Sequence, residues 1–340
     1  MILVTGGTGL VGSHILFDLA SSGKRVRALR RKNSNMSVIH RLFSSSPEYL
    51  NNIEWVEGEL NDLFSLNEAM IDVDTIYHSA ALISFYQSDR NKMMKVNAEG
   101  TANVLNMAIK NGVRRFCHLS SVAALGRNAG ERYVDENSWW KNSSKNSNYA
   151  ISKYGGEREV WRAMEEGLSA FILNPSIIIG AGNWNSGSAQ MVSQVWKGLP
   201  FYTNGITGFV DVRDVSKAAL ILMEKGIRNE RFIINSENVS YKYVFDQIAK
   251  NLKRKNPWIR VSSPLAEFGW RLEIIRSLFS RNKPMITKET ARNGLMQWNY
   301  SNEKIKKEIG IEFISVEQSV RDTCEYFLKE NGGIALSTKS

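Results

Sequence analysis

Cysteine is nearly missing: the 340 residues hold two, Cys117 and Cys324. That excludes a disulfide-stapled scaffold and a cysteine-rich metal cluster. It points to a reducing compartment, here the cytoplasm, and to a site without metal. Glycine (25) and proline (6) are too few for a collagen-like repeat, and 43% hydrophobic residues are too many for a disordered chain. No run of about 18 uncharged apolar residues occurs, so no spanning helix is expected. Met1-Ile2-Leu3-Val4 runs straight into a glycine-rich turn, without the basic and apolar regions of a secretory leader, so none is expected. No internal repeat is visible. The chain is long enough for two substructures, and it is basic, with 44 Lys+Arg against 34 Asp+Glu.

Short apolar runs at 1–4, 25–30, 53–57, 75–79, 115–120 and 169–174 read as strands. Helical patterns at 10–22, 62–71, 90–111 and 148–167 lie between them. Continuously apolar strands alternating with helices predict an α/β fold, a doubly wound parallel sheet covered on both faces. After 175 the pattern is irregular. Segments 208–212 and 231–235 read as strands that return to the sheet, and 236–330 reads as mostly helical. The expected organisation is a dinucleotide-binding domain over 1–174, with returning segments about 208–235. A smaller, mostly helical substrate-binding part would occupy 175–207 and 236–330, with 331–340 a loose tail.

The first strand is followed by Thr5-Gly6-Gly7-Thr8-Gly9-Leu10-Val11-Gly12 and an apolar helix. Gly6 permits a tight turn, Gly9 lets the backbone approach a pyrophosphate, and Gly12 lets helix and strand pack closely. The helix N-terminus offers its N–H groups and positive dipole end to phosphate. The glycines stand at 6, 9 and 12, a TGxxGxxG spacing. In this it resembles the extended branch of the short-chain dehydrogenase/reductase superfamily, the NAD-dependent epimerase/dehydratase family, whose Rossmann domain binds a nicotinamide dinucleotide.

The second strand ends in Arg30-Arg31-Lys32. An NAD site needs an acid there for the ribose 2′-OH, whereas Arg30 and Arg31 suit a 2′-phosphate. NADP(H) is therefore expected over NAD(H), which stays possible. The resemblance implies an adenine-binding strand end at Gly58-Glu59-Leu60, with Glu59 where the family usually has Asp. Asp62 reads more simply as the N-cap of the next helix. The resemblance also implies that the loop bearing Ala80 and Ala81 passes under the cofactor, and that the segment around Pro175 lines the nicotinamide.

Tyr149 and Lys153 form a YxxxK pair, on one face of a helix at i and i+4. An ammonium beside a phenol stabilises phenolate, and Tyr149 would then exchange a proton near neutral pH. Ser120 and Ser121 close the fifth strand at the rim where doubly wound sheets bind ligands. Ser121 falls at the family's catalytic Ser/Thr position, with Ser120 the alternative. Asn97, a poor helix-interior residue, stands where the family keeps an Asn that helps hold a water relay to the lysine. Ser121, Tyr149, Lys153 and Asn97 thus complete the family's tetrad in order. The implied chemistry is hydride transfer between nicotinamide C4 and a carbinol or carbonyl carbon. Tyr149 would move the proton, Ser121 orient the oxygen, and Lys153 grip the nicotinamide ribose.

Val122-Ala123 follows Ser121, where 4,6-dehydratases carry an Asp-Glu pair, so that elimination is not expected. Thr207-Gly208 stands where nucleotide-sugar epimerases usually have an Arg. Phe209-Val210-Asp211-Val212-Arg213-Asp214-Val215 resembles a segment of dihydroflavonol-4-reductase-like and 3β-hydroxysteroid dehydrogenase-like members. So do Lys283–Glu289 and Tyr300–Gly310. An oxidoreductase acting on a bulky or hydrophobic ketone, aldehyde or alcohol is expected. A nucleotide-sugar epimerase, or a cofactor-binding regulatory protein without turnover, are the alternatives.

Residues 250–292 hold 11 basic and 3 acidic side chains, so the excess charge is local. Leu265, Phe268, Leu272, Ile275 and Phe279 form one helical stripe there, and Trp270, Ile274 and Leu278 a second. Such a segment suits an apolar pocket wall, a homodimer contact or an acidic membrane surface. No nucleic-acid-binding motif accompanies the charge, so the expected partner is a small-molecule substrate.

Overall fold

The computed structural model describes residues 1–126, 132–144, 146–262, 264, 265, 267, 270 and 287–331. Seven parallel strands form its central sheet, in the order β11-β7-β5-β4-β1-β2-β3. These are β1 (Ile2–Thr5), β2 (Val26–Arg30), β3 (Ile53–Glu57), β4 (Thr75–His78), β5 (Arg115–Leu119), β7 (Ser169–Pro175) and β11 (Glu230–Ile234). The period-two geometry of strands sends alternate residues to opposite faces. Val4, Tyr77, Cys117 and Phe171 point to one face. There they pack on Ile15, Leu16 and Leu19 of α1 (Leu10–Ser21) and on Val215, Ala218 and Leu222 of a later helix. Leu3, Ile76, Phe116 and Ile172 point to the other, onto Leu66, Val104, Leu105 and Val160. Burying each such side chain is worth about 1.5–3 kcal/mol.

The helices on the first face are α1 and α2 (Ser37–Leu42), joined later by α8 (Val212–Glu224). On the second face lie α3 (Leu63–Ala69), α4 (Arg90–Met93), α5 (Gly100–Lys110) and α6 (Asn148–Glu165). Between α4 and α5 the helix widens to a π turn over Met94–Glu99. Asp62 caps α3, accepting from Phe64 N at 3.1 Å, and Ser147 caps α6, accepting from Ala150 N at 2.9 Å. Chain order reverses at β1, whose neighbours are β2 and β4. A ligand crevice is expected outside the carboxyl ends of strands at such a point.

The rest of the chain builds its own core from Ile179, Val192, Phe209, Val244, Ile248, Val320 and Phe327. It holds α7 (Gln190–Trp196), α9 (Tyr241–Asn251) and the helices Lys288–Asn293, Glu303–Ile309 and Val316–Glu330. One sequence expectation fails here. The segment expected at 208–212 does not return to the central sheet. It is β10 (Ile206–Asp211) of a separate sheet, parallel to β8 (Ile177–Ile179) and antiparallel to β12 (Glu237–Ser240). β7 already has β5 and β11 on its two sides, and β10 pairs instead with β8, the strand that follows β7 after Ser176. The 231–235 segment does join the central sheet, as β11 at its edge. Two further ribbons pair β6 (Tyr133–Val134) with β14 (Asn299–Tyr300), and β9 (Phe201–Tyr202) with β13 (Ile259–Arg260). Most of the basic segment's two apolar stripes, Lys283–Ile286, and residues 332–340 of the tail lie outside the described residues. Among the described residues no helix is long and apolar enough to cross a membrane.

Candidate active site

Two loops meet over the carboxyl end of β1. Gly6 has φ +71°, the left-handed region that glycine takes at no steric cost. A Cβ there would stand 2.5 Å from Ala80 N, and one at Gly12 would stand 2.3 Å from Gly6 O and 2.6 Å from Ser79 Oγ. The turn and the Ala80–Ala81 loop are thus in backbone contact, and only glycine fits between them. Gly9 closes the turn through its N–H to Gly6 O at 2.9 Å and opens α1 without a side-chain cap or an acid in the first turn. Val11 packs on the core, and Leu10 packs beside Gly180 and Gly182. Thr5 is fully buried, its hydroxyl 2.7 Å from His78 Nδ1. The cradle fits a dinucleotide pyrophosphate, by the close backbone approach it permits and by the helix end behind it.

Arg30 closes β2 beside Glu57, its register partner on β3, at 4.0 Å, with its guanidinium over Trp55. Its Nε is buried and bonds no group of the protein. Arg31 is exposed, and its N–H donates to Ser34 Oγ. Glu59 is exposed on the loop after β3, while Leu60 packs against Gly100 of α5. Pro175 is buried at the end of β7, in register with Ile234.

The predicted tetrad converges around α6. The Ser121 hydroxyl lies near enough to the Tyr149 phenol to favour its ionised form, and Ser121 Oγ accepts from Ala123 N at 3.1 Å. Lys153 is buried and donates from Nζ to Leu119 O at 2.7 Å. Asn97 lies in the π turn, a distortion common at functional sites. Its amide donates to Leu82 O and Ser152 Oγ, each at 2.9 Å, and its oxygen accepts from Leu82 N at 2.7 Å. The side chain therefore clamps the loop after β4 onto α6, and no bond to Lys153 is among its contacts. That clamp presents Phe85 to the Tyr149 ring, centroids 6.4 Å apart, and leaves Ile83 and Phe85 exposed. Asn148 adds a bond to Gln87 Oε1 at 2.7 Å.

Electrostatics depart from the sequence expectation. Desolvation pushes Tyr149 up to about 12, opposed by the Ser121 hydroxyl, and Lys153 is not among the groups that move it. Burial brings Lys153 down to about 8, opposed by Glu157. Spacing alone suggests a phenol lowered by Lys153, but burial sets the direction and Ser121 is the group that opposes it. His78 is a buried tie, with Nδ1 at Thr5 Oγ1 and Nε2 3.0 Å from Thr101 Oγ1. Burial pushes it down to about 3.

Sequence reasoning missed Glu157, Asn174 and Phe85. Glu157 stands at i+4 from Lys153 and i+8 from Tyr149, so the helical period carried a signal for it. Among residues 132–144, Trp140 stacks on Tyr154 of α6 with ring centroids 4.5 Å apart. A cleft of about 540 Å³ opens there, lined by Arg132, Tyr133, Trp139 and Lys141 among others.

Residues 2–235 match the profile of the family described as NAD dependent epimerase/dehydratase. A Synechocystis protein with the provisional name dihydroflavonol 4-reductase is 30% identical over 336 residues, covering 95% of this chain and 93% of its own. Cinnamoyl-CoA reductase 1 of Petunia hybrida is 25% identical over 353 residues, covering 100% and 95%. Among solved structures, that of gox2253 superposes with a TM-score of 0.80 at 30% identity, covering 98% of each chain.

Proposed function

This chain belongs to the NAD dependent epimerase/dehydratase family, and we propose that within it the protein is an NADP(H)-dependent oxidoreductase of a bulky or hydrophobic ketone, aldehyde or alcohol. The observation that carries the reading is the meeting of Ser121, Tyr149 and the buried Lys153 at the end of the sheet that also bears the Gly6–Gly12 cradle. The cradle would hold the pyrophosphate, and Arg30 and Arg31 the 2′-phosphate. The nicotinamide supplies or takes up the hydride.

Tyr149 and Ser121 present two hydroxyls to one substrate oxygen. With the phenol held at about 12, Tyr149 is a phenol at neutral pH, the form that donates a proton as a carbonyl becomes an alcohol. Ser121 holds the oxygen beside it. Lys153, one helical turn from Tyr149 and bonded to Leu119 O, would grip the nicotinamide ribose. Ile83 and Phe85, exposed on the clamped loop beside Tyr149, support an apolar substrate body, as do the reductase names of the relatives above. The bulky-substrate part, bound by the segments at 175–207 and 236–330, is part of the same proposal.

The test is an NADPH-oxidation screen over aromatic and aliphatic ketones and aldehydes. Turnover of a bulky carbonyl, lost in Tyr149→Phe, is expected. Inactivity toward every carbonyl, with turnover of a nucleotide sugar and no net NADPH consumption, would overturn the proposal.

A further inference from the structure

One buried acid on α6 has no role in the reaction as drawn, yet its hydrogen bonds lead to the backbone that carries Ser121. Glu157 shares a face of α6 with Tyr149 and Lys153 and is fully buried. Its Oε1 accepts hydrogen bonds from Ser120 Oγ and Asn174 Nδ2, and the same Asn174 amide donates to Ser121 O at 2.9 Å. Its Oε2 stands 3.7 Å from Arg231 Nη1. Arg231 in turn donates from Nε to Glu136 O at 2.8 Å and lies over the Trp139 ring. Burial raises the Glu157 carboxyl, while Ser120, Arg231 and Asn174 act the other way and favour its carboxylate form. A side chain that merely filled this space would be apolar, because a buried carboxylate is costly to desolvate.

We infer that Glu157 is a positioning residue: it fixes Ser121 against Tyr149 through Ser120 and Asn174, and it supplies the negative charge that keeps Lys153 an ammonium. The groups facing Lys153 are Glu157 on its own helix, His118 on β5 and His78 on β4, with Leu119 O accepting from Nζ. Of these only Glu157 can carry a negative charge. Burial drives the Lys153 proton off, and Glu157 acts the other way. Arg231 completes the arrangement, since it faces the carboxylate and ties it to the chain at 136–139.

The inference rests on the reading of Tyr149 and Lys153 as reaction machinery, and the two are tested apart. Lys153 is titrated by NMR of ¹³Cε-labelled lysine in the wild type and in Glu157→Gln, its resonance assigned by its loss in Lys153→Met. The pH dependence of carbonyl reduction is followed in the first two. The wild-type midpoint near 8 is expected to fall in Glu157→Gln by about half a unit or more. The alkaline limb of kcat is expected to move with it. An unmoved midpoint with an unmoved limb would overturn the inference. If Glu157→Gln does not fold, Arg231→Gln takes its place. A Glu157 without that partner takes up a proton more readily, so the same downward shift is expected and its absence is equally fatal. Reduction that survives Tyr149→Phe would sink the functional reading, while the NMR titration still decides on Glu157.

Discussion

Gly12→Ala puts the dinucleotide cradle to a quantitative test. The added methyl would stand 2.3 Å from Gly6 O and 2.6 Å from Ser79 Oγ, where real Cβ contacts below 3.0 Å essentially never occur. Ser79 can rotate away, but Gly6 O is backbone and is held by the bond from Gly9 N. Relief therefore requires α1 to shift by several tenths of an ångström relative to the turn, in the direction that opens the cradle. Overpacking of this kind costs about 1–3 kcal/mol. Because the strained contact lies between turn and helix, the cost is expected in NADPH binding. There it corresponds to roughly a fivefold to hundredfold rise in Kd. Fluorescence titration of NADPH into wild type and variant measures it, with a melting curve to show that the variant is folded. A folded Gly12→Ala protein with wild-type affinity would refute the reasoning, because the turn would then have no part in binding.

Three further outcomes follow from the geometry. Asn97→Ala removes three bonds that hold Leu82 and Ser152, each worth about 0.5–1.5 kcal/mol. It should raise KM for a bulky substrate more than for a small one, and a uniform loss across substrates would contradict the clamp. Replacing Arg30 and Arg31 together by alanine should weaken NADPH at least about tenfold, the worth of one charge-assisted bond, and leave NADH nearly unchanged; equal weakening of both would count against 2′-phosphate recognition. His118 is buried and pushed well below its usual range by burial and by Lys153, and neither ring nitrogen bonds a protein group. Its folded form binds no proton below about 6.5 while its unfolded form does, so it costs stability as pH falls through that value. His118→Leu should therefore gain on the wild type by up to about 1.4 kcal/mol per pH unit below 6.5 in urea unfolding. A difference that does not change with pH would contradict the burial argument.

The cradle was legible because its information is local. Three glycines between an apolar strand and a helix encode a turn, a close approach and a helix contact at fixed positions. Tyr149 and Lys153 were legible for the same reason, through the helical period. Asn97 was found as an outlier in a helix, but its work is the clamp on Leu82, 15 residues earlier, and no local pattern encodes that partner. Glu157 was missed because an acid on a helix reads as a solvated face until the sheet beneath it is known. The raised Tyr149 follows from depth, which spacing does not carry. Residues 208–212 were recognisable as a strand, but an apolar strand does not state which sheet it joins, and its partner β8 is known only from the fold.

The central claim is that Tyr149 and Ser121 hold a carbonyl oxygen while hydride reaches its carbon. The most direct measurement is isotope transfer from [4-²H]NADPH to a bulky carbonyl substrate, followed by mass spectrometry of the product. Deuterium on the carbinol carbon is expected from the wild type, with transfer slowed by about 10²–10⁴ in Tyr149→Phe. Product formed without deuterium from either 4-position, or transfer that Tyr149→Phe leaves at the wild-type rate, would contradict it.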